Sequence, residues 1–269
     1  MIRSFLILAI VFDMAAVRAT AAGDVSPSGS FDALLARTEH RVEQFWDQFS
    51  AVTCTETVEQ NKLGDDGKIL IKKRSAYDYL VLLQLSGDDL LVQESRLLQG
   101  KPGKESDRPL LATGGFSTMV LIFHPHFRSS FTFADQGNDP AEPSLDRVHF
   151  EHIHGKRSPA VLQLRSREYP IEWRGTAWID RGTGNIARIQ ADLETPFEDI
   201  GLKRLTTEVH YSAAALAGQN AAPWMPVTAQ IEADTTHQHW RNVHTFSAYK
   251  QFSVSTDSKT QTIKEEPQQ

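Results

Sequence analysis

Apolar residues recur at two spacings in this chain: every third or fourth residue near the start, and every second residue through most of the remaining length. Phe31, Leu34, Leu35, Thr38, Val42, Phe45 and Phe49 fall on one side of a 3.6-residue repeat. They predict an amphipathic helix of about five turns, with Ser30 as its N-cap and Arg37, Glu39, His40, Glu43 and Asp47 on the polar side. From residue 51 the pattern changes to alternation. Strands are predicted at 51–61, 68–85 and 90–99, from 131 onward, and at 147–154, 160–168, 172–181, 185–194, 205–211, 227–234 and 239–254. Residues 110–128 read as a second helix with Met119, Val120, Ile122 and Phe123 inside, and Pro125 stops or kinks it after His124.

The clearest stretch is WRGTAWIDRGTGNIARIQADL, residues 173–193. Pairing Arg181 with Asn185 leaves Gly182-Thr183-Gly184 as a three-residue hairpin loop, with Gly184 at its positive-φ position. Trp173, Gly175, Ala177 and Ile179 then face Leu193, Ala191, Ile189 and Ala187, so one side is wholly apolar. The other side pairs Arg174 with Asp192, Thr176 with Gln190 and Trp178 with Arg188, the last as a cation–π stack. A slip of one residue would mix the two sides. The small residues on the apolar side leave room for another element to press against it.

Closely spaced strands leave no length for crossover helices, which excludes a parallel α/β sheet. The expectation is an α+β fold: a large, curved antiparallel sheet, an open half-barrel, with two main helices packed on its concave side.

The ends of the chain carry other signals. Residues 1–22 read as a signal peptide: Arg3 supplies the positive start, an apolar run interrupted by Asp13 extends from Phe5 to Val17, and cleavage follows Ala21 or Ala22; the competing reading is a weakly anchored amphipathic N-terminus. That run is too short for a membrane span. A single domain is expected over residues 23–254, followed by a polar, disordered tail over 255–269. The predicted location is periplasmic or secreted, with no integral membrane span after cleavage. Cys54, the sole cysteine, shares strand parity with Val52 and Val58 and reads as a core thiol. A net charge of −6 and a pI near 5.9 give no footprint for nucleic acid. There is no glycine-rich phosphate loop, and no cofactor is expected.

Element order and the hairpin pattern Ala177-Trp178-Ile179-Asp180-x-x-x-Gly184-x-x-x-x-Ile189 resemble the periplasmic lipoprotein-carrier superfamily (LolA/LolB-like). Val52-Thr53-Cys54-Thr55-Glu56-Thr57 is similar to segments of uncharacterised secreted acidobacterial proteins. The resemblance implies an unclosed β-barrel whose concave side holds acyl chains beneath helices, with a lipid or lipidated protein as partner. It implies no catalytic residues.

Three groups of residues are candidates for chemistry. Phe45, Phe49, Met119, Ile122, Phe123, Phe127, Trp173 and Ile179 would line a hydrophobic cavity between helices and sheet, or simply fill it as core. His152 with His154, and His237 with His239, share strand faces and would offer four imidazoles to zinc or copper if their strands were neighbours. Glu56 shares the inward parity of Val52, Cys54 and Val58, so it needs a buried partner such as Arg or Lys. Ser117 lacks the G-x-S-x-G setting of a serine nucleophile. The leading expectation is a non-enzymatic envelope protein that binds a hydrophobic ligand. The alternatives are an interaction or structural module with a filled core, and a histidine metal-binding protein.

Overall fold

The computed structural model describes residues 27–86, 89–100, 113–164, 167–218, 220 and 222–252. The segment expected to be a signal peptide, the expected tail and residues 101–112 lie outside them. Helix α1 (Pro27–Phe49) leads into β1 (Val52–Leu63), β2 (Ile69–Ser86) and β3 (Asp89–Leu98). A 3-10 helix (Phe116–Phe123) and a one-turn helix α2 (Pro125–Arg128) come next, then β4 (Phe131–Asn138) and β5 (Leu145–His152). After them come β6 (Val161–Leu164), β7 (Arg167–Pro170), β8 (Trp173–Asp180), β9 (Ile186–Leu193), β10 (Leu202–Ala213), β11 (Trp224–Thr235) and β12 (His239–Gln251). Ten strands form one open sheet in the order β3-β2-β1-β12-β11-β10-β9-β8-β5-β4, with every pairing antiparallel. The sheet therefore closes its middle by joining its first strand to its last. The predicted single strand at 160–168 is instead the separate hairpin β6–β7.

Helix α1 begins at Pro27, whose fixed φ suits the first turn, so Ser30 lies inside the helix rather than capping it. Leu34, Leu35, Thr38, Val42, Phe45 and Phe49 are all buried. Thr38 is tolerated there because its hydroxyl donates to Leu34 O at 3.0 Å. The second helical element is a 3-10 helix rather than the α-helix expected over 110–128. All eight of its residues are buried, so it has no solvent face to support amphipathic α-helical winding. Non-helical angles at Thr118 interrupt it, and Pro125 forces His124 into the extended region (φ −69, ψ 139). Together α1 and the 3-10 helix cover the buried side of the sheet, against Val148, Phe150, Ile189, Val209, Met225 and Ile231. No helix among the described residues is long and apolar enough to cross a membrane.

Bulges bend the sheet, and one corrects a parity expectation. The β8–β9 register runs as predicted from Trp173↔Leu193 to Trp178↔Arg188, then shifts so that Ile179 faces Ile186, not Ala187. The shift brings Ile186 into the core in place of the smaller Ala187. In β12, Thr53↔Lys250 is followed by Thr55↔Ser247, and Ala248 adopts φ +52. This bulge turns Tyr249 inward, where its hydroxyl donates to Pro226 O at 2.6 Å. On the other face of β8, Trp178 stacks under Arg188 at 3.6 Å and donates its Nε1–H to Asp139.

The β8–β9 turn is clamped to α1. Arg37 and Arg41 donate to the carbonyls of Arg181 and Thr183 at 2.9 and 3.0 Å. Gly184 has φ +77, and a Cβ there would lie 2.9 Å from the Arg37 carbonyl carbon. Gly184→Ala therefore combines left-handed strain with a backbone clash. It is expected to cost about 2 kcal/mol in urea unfolding. A loss below a few tenths of that would show that the turn is not held against the helix.

Candidate functional site

The concave side holds two features: a buried polar network and a cavity that shares its wall. The network starts at Glu56, whose side chain is fully buried on β1. Arg96, on the inward side of the edge strand β3, grips it with two hydrogen bonds, Nε to Oε2 at 2.5 Å and Nη2 to Oε1 at 3.0 Å. His244 Nδ1, from β12, lies 2.7 Å from Glu56 Oε1. Burial alone would raise the Glu56 carboxyl. The hydrogen bonds from His244 and Arg96 outweigh it and hold the group below its usual value of 4.5. An ionised Glu56 accepts, so Nδ1 of His244 carries a proton, and its Nε2 lies 2.8 Å from Thr113 Oγ1. Asn242 Nδ2 also donates to Thr113 Oγ1, at 3.0 Å.

The network continues through Glu94. Its carboxylate accepts from Arg96 Nη1 at 2.7 Å, Tyr79 Oη at 2.8 Å and the Gly115 amide at 2.7 Å. Ser117 Oγ donates in turn to Tyr79 Oη at 2.7 Å, and the Ser117 carbonyl accepts from Tyr211 Oη at 3.2 Å. Gly114 has no side chain to crowd Glu94: a Cβ there would lie 2.7 Å from Glu94 Oε2. Four strands, β1, β2, β3 and β12, and the start of the 3-10 helix are thus tied by charge-assisted hydrogen bonds. Burial and the neighbouring Glu56 push the Cys54 thiol up to about 12, so it is a core thiol and a poor nucleophile.

Glu56, His244 and Thr113 form a carboxylate–imidazole–hydroxyl chain, the order of groups found in general-base triads. Its chemical reach is limited. The carboxylate is already neutralised by Arg96, His244 is buried, and Thr113 does not line the cavity.

The cavity has a volume of about 480 Å³. Leu90 and Val92 of β3, Phe116 and Met119 of the 3-10 helix, Ile171 and Trp173 form its apolar wall. Glu94 and Glu168 are its charged lining residues. Exposed Leu91 and Val161 also line it, at its solvent side. Strand β3 is first in the sheet order and β8, which carries Trp173, is eighth. In a flat sheet seven strand spacings would separate them by roughly 34 Å. They meet around one cavity because the sheet curls.

Of the residues expected to line a hydrophobic site, Met119 and Trp173 line this cavity. Phe45 lines a separate pocket of about 190 Å³ between α1, Val120 and Trp224. Phe49, Ile122, Phe123, Phe127 and Ile179 are buried core side chains that line neither. The four histidines are not brought together. His152 ends β5 and His239 opens β12, and four strands stand between those two in the sheet. His152 Nε2 lies 3.1 Å from Arg157 O, and exposed His154 pairs with Glu172 at 2.8 Å. His239 approaches Asp234 at 3.3 Å. Among the described residues no group of three or more His, Cys, Asp and Glu is placed to hold a metal. The condition that their strands be neighbours is not met, because the chain between the two pairs supplies β8 to β11. Arg96 and His244 were missed as partners. The signal present was the inward parity of Glu56, which demanded a cation without naming it.

No protein-family model matches the chain, and a comparison with curated proteins returns no match. Among solved structures it is similar to a DUF1329 family protein from Desulfovibrio piger, at 11% identity and a TM-score of 0.42 over 84% of this chain and 95% of that one.

The network should control acid stability. A group with a depressed folded pKa contributes stability that is fully present above its usual value and lost as pH falls through the folded value. Unfolding free energy should therefore decline below about pH 4.5. Glu56→Gln should cost about 2 kcal/mol at neutral pH, because Arg96 keeps Glu94 but loses its hydrogen bonds to a charged acceptor. It should also flatten the acid limb. Urea titrations at several pH values check both, and an acid limb unchanged in the variant would assign it to other carboxylates.

Proposed function

We propose that this is a non-enzymatic envelope protein that binds a hydrophobic ligand, a lipid or the acyl chain of a lipidated protein, on the concave side of its half-barrel. The observation that supports this reading is the cavity of about 480 Å³ between β3, the 3-10 helix and Trp173. That volume lies within the roughly 300–1,000 Å³ typical of small-molecule sites, and the wall sets aliphatic and aromatic side chains beside a comparable share of polar surface. The resemblance to lipoprotein carriers and the predicted signal peptide fit the same role and a place in the periplasm or outside the cell. Binding rather than catalysis is the reading because the Glu56–His244–Thr113 chain ends on a hydroxyl outside the cavity lining. The network instead works as a tie that holds the 3-10 helix over the sheet.

Nile red, an uncharged hydrophobic dye, serves as the probe. It should bind the purified protein with a blue shift and enhanced emission. Val92→Trp, on a half-buried edge position, fills the cavity with an indole and should weaken the dye roughly tenfold. Native mass spectrometry followed by organic extraction should recover a co-purifying lipid from protein made in the periplasm. A protein that neither binds the dye nor carries lipid is not a hydrophobic-ligand carrier, and the filled-core interaction module takes its place.

A further inference from the structure

The cavity wraps around a free sheet edge. Leu90, Val92 and Glu94 point to the concave side of β3 and Leu91 points to the other side, yet all four line the cavity. β2 covers one side of β3, so a cavity that touches both faces reaches them around the opposite edge. The β2–β3 ladder fixes what that edge presents. Gln99 N donates to Ala76 O at 2.9 Å, and the register runs without a shift from Tyr77↔Leu98 to Ser86↔Asp89. Bonded pairs alternate along an antiparallel ladder, so Ser95, Gln93 and Leu91 bond to β2. The N–H and C=O groups of Leu90, Val92 and Glu94 therefore point away from β2, into the edge. No strand among the described residues pairs with them.

Open edges are normally blunted by bulges, Lys or Pro. β4, at the other end of the sheet, carries a register shift between Asp135 and Asn138. β3 runs for ten residues with no shift, no Lys and no Pro, and its inward charges, Glu94 and Arg96, neutralise each other. Across the edge stand Ser158 to Val161 and Glu168, the far wall of the cavity. A lone strand needs only the space between; a second copy would bring its whole sheet and hairpin against that wall. The cavity surface is about as polar as it is apolar. That suits a peptide, with donors and acceptors along its length, better than an acyl chain alone. The charged lining residues are both carboxylates, Glu94 and the exposed Glu168, in a chain of net charge −6.

We propose that an extended segment of a partner protein adds to the free edge of β3, with apolar side chains at every second position in the cavity and basic residues flanking them. Main-chain hydrogen bonds supply the affinity and the alternate side chains the selectivity. The proposal rests on the cavity being the ligand site of the preceding reading, and it adds polypeptide as the class of ligand.

The probe is a dye-labelled heptapeptide, Lys-Val-Ser-Val-Ser-Val-Lys, whose anisotropy is read against the purified protein. Blocking the amides on one edge of the peptide at a time tests main-chain pairing directly. In antiparallel addition, the direction of every pairing in this sheet, the valine amides face β3 and the serine amides face away. N-methylation of the three valines should weaken binding about tenfold or more, and N-methylation of the two serines about twofold at most. Val92→Pro removes a free edge donor and leaves the ladder to β2 intact. It should weaken the parent peptide about tenfold while the folded circular dichroism spectrum and Nile red binding persist. Glutamate in place of both lysines should weaken the peptide about three- to tenfold at low salt. The methylation comparison on the wild type decides the matter even if Val92→Pro does not fold. Equal binding by the two methylated peptides overturns the proposal. A dimer of the protein alone in sedimentation, lost in Val92→Pro, gives the edge to a second copy and also overturns it. Nile red binding without peptide binding overturns it while the cavity reading stands, and failure of both overturns both.

Discussion

A carboxylate enclosed at the join between the first and last strands of a sheet must be neutralised from both sides, and much of this molecule is arranged to do so. Glu56 draws Arg96 inward from the edge strand β3 and His244 from β12. Each partner brings a further group, Glu94 with Tyr79 on one side and Thr113 with Asn242 on the other. The outcome is geometric. β1 and β12 are distant in sequence, and their pairing carries a large loop-closure cost in folding. A directional ionic network at that pairing rewards one register and penalises the neighbouring ones, since a slip of one residue would turn Glu56 out and take from Arg96 and His244 the carboxylate they share.

Curvature is the second requirement, and bulges contribute to it beside the ordinary twist of the sheet. The shifts in β8–β9, β1–β12 and β10–β11 each insert a residue on one strand and bend the sheet. Two of them also change which residues face inward, adding Ile186 and Tyr249 to the core. The bent sheet faces α1 and the 3-10 helix along most of its length and is filled there by Phe45, Phe49, Ile122 and Phe123. Toward the β3 edge the filling stops, and the cavity between β3 and Trp173 remains.

The sequence carried the fold class and most strand positions because alternation and turn chemistry are local. The hairpin pairing was legible from Trp173 to Trp178, where side-chain parity and the Gly184 turn agree. It failed at Ile179, because a bulge is a choice made by packing and leaves no mark in the alternation. The second helix was misjudged for a related reason. A segment apolar on every side signals burial but not winding, and Phe116–Phe123 is buried all round. For the site, parity marked Glu56 as a buried charge, but its partners lie 40 and 188 residues away. Pairing the histidines failed because strand order, rather than spacing along the chain, decides which side chains meet.

The network and the cavity meet at Glu94, and that shared residue constrains what the cavity can be. Its carboxylate oxygens are held by Arg96, Tyr79 and the Gly115 amide, so the wall there is polar yet already saturated. A saturated carboxylate does not seek a ligand. It fixes the start of the 3-10 helix, and with it Phe116 and Met119, as one rigid side of the cavity. The opposite side is Trp173, in edge contact with Phe116 at 6.3 Å and itself locked in the β8–β9 register. Two walls held by independent means, one ionic and one by strand pairing, leave a gap whose dimensions do not depend on a ligand being present. Such preorganisation lowers the ordering cost of binding.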